Sequence, residues 1–159
     1  MGMSNKRLGY HFYPDDHHFS QADLEAWLPI LNSLGAKWLT LRSGATRAIP
    51  EYFVRGLLQA GIQPIIHIAS DIGSVRLSDL TPLLTCYSHW GVRYLVVFDR
   101  PNLKASWGEA SWSRRGLVER YLDLVVPILE ASRSAGLRPT SLLWSLAETT
   151  GIRLSLSKL

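Results

Sequence analysis

Cysteine is almost missing from this chain of 159 residues, and long apolar runs are missing altogether. The single cysteine, Cys86, excludes an internal disulfide and any metal site built from several cysteines. Its apolar neighbours predict a buried thiol on a helix. Apolar stretches such as residues 94–98 are far shorter than the roughly 18 residues that a membrane helix needs. No charged leader with a following apolar segment opens the sequence, so we expect a cytoplasmic protein without a membrane partner.

Charge is also sparse, at 19% of residues, with a formal net charge of +4. The basic residues are spread along the chain, and nucleic-acid binding requires a clustered stripe or a known module. We therefore expect no nucleic-acid partner. The sequence lacks the glycine-rich phosphate loops, G-x-S-x-G and H-E-x-x-H, so no cofactor and no serine-hydrolase chemistry are predicted.

A short phrase recurs four times and organises the chain. It consists of glycine, an apolar residue, a polar residue and an apolar run, and it begins at Gly35, Gly61, Gly91 and Gly136. A glycine in the left-handed conformation commonly follows the last turn of a helix. The apolar runs are typical of strands buried on both faces of a parallel sheet. The repeat therefore predicts alternating helices and strands.

Helices are predicted ahead of each of these glycines. Ser20 opens a sequence that resembles a capping box, and Pro50 suits the first turn of a second helix. Ser78 is predicted to cap a third helix, and a fourth runs over residues 113–135 with a kink at Pro127. With a first strand at residues 8–12 and a fifth due near residue 138, the fold class is α/β with a parallel sheet of (βα)4 units.

The connections that follow the strands are longer than the usual 2–6 residues or so. They cover residues 13–20, 69–77 and 101–112. In barrels and in doubly wound sheets the ligand lies at the carboxyl ends of the parallel strands. The candidate residues at these ends are His11, Tyr13, Asp15, Asp16, His17, His18, Arg42, His67, Ser70, Asp71, Asp99, Arg100, Asn102, Trp107 and Trp112.

Several of these residues permit two interpretations. A buried Arg42 requires a carboxylate or an anionic ligand, and Asp99 is the expected carboxylate, in a functional or a purely structural pair. His67 is either a hydrogen-bonded core residue or a functional one. His11, His67 and Asp99 lack diagnostic metal-ligand spacing, so no metal is predicted. Trp107 can stack on a sugar ring or pack its loop onto the sheet.

Four stretches together resemble the amino-terminal half of a (β/α)8 barrel of the glycoside-hydrolase superfamily, as found in uncharacterised bacterial proteins. The resemblance covers about residues 7–140. The stretches are His11-Phe12-Tyr13-Pro14, Leu39-Thr40-Leu41-Arg42, Ile65-Ile66-His67 and Val96-Val97-Phe98-Asp99-Arg100-Pro101-Asn102. The resemblance implies a partial TIM barrel over residues 1–140 and a carbohydrate or other small polar ligand. It also implies a catalytic Asp99 with substrate-binding residues His11, Tyr13, Asp15, Arg42, His67, Arg100, Asn102 and Trp107.

The same resemblance implies that this chain is inactive by itself. Retaining enzymes of the superfamily carry an Asn-Glu pair after strand 4 and a nucleophilic Glu on strand 7. Here strand 4 ends without that pair, the nearest glutamate is Glu109, and no strand 7 is present. A full barrel takes about 250 residues. We therefore expect hydrolase activity only in a completed barrel.

The last residues, 141–159, are predicted to form an irregular C-terminal tail, because they fit neither a strand nor its polar exit. We hypothesise that a one-base frameshift produced them. When one T base is restored ahead of suitable synonymous codons, the shifted reading frame encodes a stretch with proline, acidic and aromatic residues instead. The bases of the gene test this hypothesis.

Two other interpretations fit the same sequence. A flavodoxin-like binding or regulatory domain predicts a real fifth strand within residues 140–144, a closing helix and helices on both faces of the sheet. A half-barrel that self-associates closes the open edges of strands 1 and 4 against a second copy.

Overall fold

The computed structural model of the protein describes residues 8–107 and 112–141. Strands and helices alternate within them, and a single 3-10 turn at Lys104–Ser106 precedes the last helix. The elements are β1 Gly9–His11, α1 Gln21–Ser33, β2 Trp38–Ser43, α2 Glu51–Gln59, β3 Gln63–Ile68, α3 Leu77–His89, β4 Tyr94–Val97, α4 Leu117–Ser134 and β5 Arg138–Ser141.

The five strands form one parallel sheet in the order β1-β2-β3-β4-β5. Parallel strands joined through a helix make right-handed crossovers, so a sequential order places successive helices on the same face. This is the arrangement of a barrel sector, and the predicted α/β fold class with a partial barrel is confirmed. The reversal of strand order that defines a doubly wound sheet does not occur among the described strands.

The fifth strand changes two details of the sequence prediction. Because β5 pairs with β4, the second open edge of the described sheet is β5 and not β4. Ser141, which the prediction assigned to the tail, is the last residue of β5 and pairs with Val97. Residues 142–159, on which the frameshift hypothesis depends, lie outside the described residues.

The core lies between one face of the sheet and the helices. Along β2 and β3, every second side chain is buried, with Leu41, Ile66 and Ile68 at 0% exposure. The alternate side chains, including Thr40 and Ile65, are partly exposed. The prediction that these strands are buried on both faces is therefore wrong for β2 and β3, because the crossover helices cover only one side. We call the partly exposed side the inner face.

Local backbone signals in the sequence are largely confirmed. The four repeated glycines have φ values of 66°, 75°, 95° and 87°, as residues just past a helix often do. The capping box of α1 is present, with the Asp23 N–H donating to Ser20 Oγ at 3.1 Å and the Ser20 N–H donating to Asp23 Oδ2 at 2.9 Å. These contacts satisfy amide groups that the helix itself leaves unpaired.

Other helix predictions are corrected. The third helix begins at Leu77 with Arg76 as its N-cap, so Ser78 lies in the first turn and caps nothing. The fourth helix begins at Leu117 rather than at residue 113, and Pro127 lies inside it. Cys86 is half-buried on α3, in contrast to the expected buried thiol. None of the helices in the described part of the chain has both the length and the apolar composition needed to cross a membrane.

Candidate functional site

The end of β4 has an unusual backbone conformation. Phe98 and Arg100 both have positive φ values, 62° and 37°, although neither is glycine. Such residues cost free energy and persist only where the surrounding structure holds them in place. Phe98 is fully buried, and its N–H donates to the Ile68 carbonyl at 3.3 Å. The two residues flank Asp99 and thereby set the direction in which the chain presents its carboxylate.

A cavity of about 490 Å³ lies at the carboxyl ends of β2, β3 and β4, and we call it the rim cavity. Neighbouring parallel strands end at the same edge of a sheet, so side chains that follow them converge there. Six of the candidate residues named from the sequence line this cavity. The six residues are Arg42, His67, Ser70, Asp71, Asp99 and Arg100.

The ion pairing in the rim cavity differs from the sequence prediction. Asp99 pairs with its neighbour Arg100, whose Nε donates to Oδ2 at 3.1 Å. Arg42 is exposed rather than buried, and it forms no ion pair with a carboxylate of the described residues. The expected Arg42–Asp99 pair is therefore wrong, because Asp99 is already held by the residue that follows it.

His67 is the most perturbed ionisable group of the rim cavity. Burial lowers its pKa, and the positive charge of Arg42 and the nearby His11 lower it further. The Asp99 carboxylate and a hydrogen bond to the Phe98 backbone oppose this shift without cancelling it. The Nε2 atom of His67 is buried and has no hydrogen-bond partner among the described residues. His67 is therefore a neutral imidazole at pH 7 with one free ring nitrogen.

We expect this burial to make the stability of the protein depend on pH. Because the pKa of His67 is lowered from 6.5 on folding, the unfolded chain binds a proton more readily than the folded one. The free energy of unfolding is therefore highest above pH 6.5, and it falls as the pH decreases through the lowered pKa.

Urea unfolding at a series of pH values between 8 and about 5 measures this effect. A His67→Gln variant, which cannot titrate, should lose part of the decrease. A His89→Gln variant, at an exposed position near the end of α3, serves as the control and should keep the full decrease. Identical pH profiles for wild type and His67→Gln would contradict the assignment.

The residues that follow β1 form a separate cluster. The rings of Tyr13 and His18 stack with centroids 3.8 Å apart, and His18 Nδ1 is 2.8 Å from Asp15 Oδ1. A hydrogen bond from the His17 backbone lowers the pKa of Asp15, and a hydrogen bond with the His18 side chain lowers it further. These contacts keep the loop after β1 compact, and they pair its Asp15 carboxylate with a histidine of the same loop.

The predicted site residues of β1 and its loop are therefore divided from those of the rim cavity. Asp15 and Asp16 line an adjoining cavity of about 310 Å³, which shares Arg42 and Ala69 with the rim cavity. His11 and Tyr13 line a mainly apolar groove of about 260 Å³ beside α1, and neither lines the rim cavity.

Trp107 serves the structure of the loop after β4. Its side chain is only 4% exposed, its Nε1 donates to the Pro101 carbonyl at 2.7 Å, and the Arg120 guanidinium lies 5.3 Å from the ring centroid. The backbone beside it also pairs with the loop after β3, at Ile72. A ring buried in this way offers no platform for a sugar. The structure thus agrees with loop packing, the alternative role considered for Trp107.

Two further candidates also lie away from the rim cavity. Asn102 is half-buried, its Oδ1 has no hydrogen-bond partner among the described residues, and it does not line the rim cavity. Trp112 packs against the core.

Sequence reasoning missed the polar lining residues Ser74 and Ser106 of the rim cavity. Ser74 Oγ donates to the Asp71 carbonyl at 2.7 Å and lies 3.1 Å from Ser70 Oγ. Ser106 accepts the Ile72 N–H at 2.8 Å through its carbonyl. The contact of Ser106 with Ile72 joins the loops after β3 and β4, and no local sequence pattern encodes that contact.

Within residues 8–107 and 112–141, no group of three histidine, cysteine or acidic side chains is arranged to hold a metal ion. A comparison of the sequence with models of protein families and with curated proteins finds no match. The functional argument therefore depends on the chemistry of the rim cavity itself.

Proposed function

We propose that this chain is a glycoside-hydrolase-like half-barrel that binds a carbohydrate in the rim cavity. The supporting observation is the convergence of donors and acceptors from three strand ends. Arg42 and Arg100 supply N–H donors, Asp71 and Asp99 supply acceptors, and Ser70 supplies a hydroxyl that does both. A sugar carries hydroxyl groups at short intervals, and each hydroxyl is both a donor and an acceptor. The donors and acceptors that line the rim cavity can pair with both.

The size and place of the cavity agree with this proposal. Small-molecule sites commonly have volumes of about 300–1,000 Å³, and the rim cavity measures about 490 Å³. It also lies at the carboxyl ends of the parallel strands, where barrel enzymes bind their substrates.

We further propose that the described residues bind the sugar without hydrolysing it. Most glycosidases require two carboxyl groups that flank the scissile bond and act as acid and as base or nucleophile. In the rim cavity the carboxylate of Asp99 is engaged by Arg100, and the other carboxylate, Asp71, belongs to an exposed position of the loop after β3. An aryl glycoside mixed with the protein should therefore release no phenol above the rate in buffer.

Amide chemical shifts recorded during titration with neutral and acidic monosaccharides test the binding proposal. We expect shifts at the ends of β2, β3 and β4 and none on the exposed side of α3. Asp99→Asn should weaken binding by roughly tenfold or more, because a hydrogen bond to a charged group contributes about 1.5–3 kcal/mol.

The matched control for this titration is Asp79→Asn, at an exposed position in the first turn of α3. This variant should bind like the wild type. If every sugar leaves the shifts at the three strand ends unchanged, the carbohydrate proposal is wrong.

The open edges of the sheet favour self-association as a second candidate property. Among the described strands, β1 pairs only with β2 and β5 only with β4. A two-fold axis along the strand direction keeps all strands parallel and brings β1 of each copy to β5 of the other. The edge-to-face contact between Trp38 and Tyr94, with ring centroids 5.2 Å apart, lies on the partly exposed inner face that such a pairing would cover.

Light scattering coupled to size-exclusion chromatography measures this property. We expect a mass twice that of one chain at micromolar concentration, with dissociation on dilution. A single-chain mass at every concentration would contradict the pairing of open edges.

A further inference from the structure

Among the described residues, the positive charge of the rim cavity that has no carboxylate partner is that of Arg42. Arg100 is paired with Asp99, and His67 is neutral at pH 7 because burial lowers its pKa. Asp15 and Asp16, in the adjoining cavity, lie 2.8 Å and 3.4 Å from the Nδ1 atoms of His18 and His17. Arg42 lines both cavities and forms no ion pair within the described residues.

Arg42 is also placed to act together with His67. The two residues are register partners on the neighbouring strands β2 and β3, so their side chains leave the same face of the sheet next to each other. Both line the rim cavity. The pair thus places a planar fork of N–H donors beside a neutral ring whose Nε2 atom is buried, so the guanidinium of Arg42 is the group that a ligand can reach.

A neutral sugar would leave the charge of Arg42 unused. Guanidinium groups bind carboxylates and phosphates through two parallel hydrogen bonds, a geometry that an uncharged hydroxyl does not match. The remaining carboxylate of the cavity, Asp71, forms no ion pair with a described cation, so it is free to accept hydroxyl groups from the rest of the ligand.

We propose that the ligand of the rim cavity is an acidic sugar whose carboxylate or phosphate group binds Arg42. This inference rests on the proposed carbohydrate function and narrows its ligand class. Asp71 and Asp99 then accept hydroxyls farther along the sugar.

Isothermal titration calorimetry with glucuronate, glucose 6-phosphate, glucose and inorganic phosphate tests the inference. We expect one or both acidic sugars to bind at least tenfold more tightly than glucose, and the stronger of the two identifies the anionic group. Arg42→Gln should reduce this preference to less than threefold. Arg133→Gln, at an exposed position in the last turn of α4, should retain the full preference.

The other outcomes separate this inference from the proposed function. Equal affinities for glucose and the acidic sugars, unchanged in Arg42→Gln, overturn the inference and leave carbohydrate binding in place. Inorganic phosphate binding as tightly as glucose 6-phosphate overturns it too, because the sugar then contributes nothing. Absence of binding by all four compounds overturns both proposals. Circular dichroism of each variant verifies that it is folded before the titrations are compared.

Discussion

Replacing Phe98 by alanine is expected to lower the free energy of unfolding by about 3–5 kcal/mol, the usual cost of removing a buried aromatic ring from a core. The Phe98 side chain is 0% exposed, and its ring centroid lies 6.3 Å from that of Tyr121. The residue also has a φ of 62°, a conformation that residues with a Cβ rarely adopt. Burial of the ring offsets the cost of this conformation, so its loss should also loosen the backbone that carries Asp99.

Urea denaturation of the Phe98→Ala variant measures this loss. Phe98→Leu, which keeps most of the apolar volume, should lose less than half as much free energy. Sugar binding by the folded Phe98→Ala protein should weaken as well, because Asp99 follows directly. A loss below about 1 kcal/mol would show that the ring contributes little to the core.

Replacing Tyr87 by phenylalanine is expected to destabilise the protein by about 1–3 kcal/mol, the cost of leaving buried polar groups unpaired. The Tyr87 hydroxyl lies 2.7 Å from Ser43 Oγ and accepts the Ile49 N–H at 2.8 Å. Burial raises the pKa of this hydroxyl, although the two hydrogen bonds partly oppose the shift. The hydroxyl thus joins α3 to the end of β2 and to the segment before α2.

The matched control is Tyr94→Phe, because the Tyr94 side chain contacts its neighbours through its ring. Thermal unfolding of both variants should show a clear decrease in Tm for Tyr87→Phe and a small change for Tyr94→Phe. Equal decreases would contradict a specific role for the Tyr87 hydrogen bonds.

The fold could be predicted from the sequence because its signals are local. Each repeated glycine marks the end of a helix, and Gly61 and Gly91 have the positive φ values that this position requires. The apolar runs that follow them form β3 and β4. The order of the strands then follows from short connections and right-handed crossovers, which exclude most other arrangements.

The remaining differences have long-range causes. The inner face of β2 and β3 is partly exposed although the runs are apolar, because burial depends on what covers the sheet and not on the strand itself. The start of α3 also differs, since Ser78 has the chemistry of a cap but Arg76 occupies the N-cap position. Propensity at a single residue is weaker than the packing of the whole helix.

The site was predictable to a similar degree. Arg42, His67 and Asp99 meet in one cavity because they lie at or just after the carboxyl ends of three adjacent strands. The partner of Asp99 could not be predicted, because it is the adjacent Arg100, which has a positive φ that the sequence does not indicate. The buried position of Trp107 depends on its contact with Ile72, 35 positions earlier in the printed sequence.

Backbone nuclear Overhauser contacts between strands test the arrangement on which the rim cavity depends. The structure predicts contacts between β1 and β2 around Tyr10 and Leu39, and between β2 and β3 around Leu41 and Ile66. With β2 between β1 and β3, Arg42 and His67 lie next to each other in the wall of the rim cavity. Contacts between β1 and β3 would instead put β1 in the middle, separate the two side chains and contradict the account.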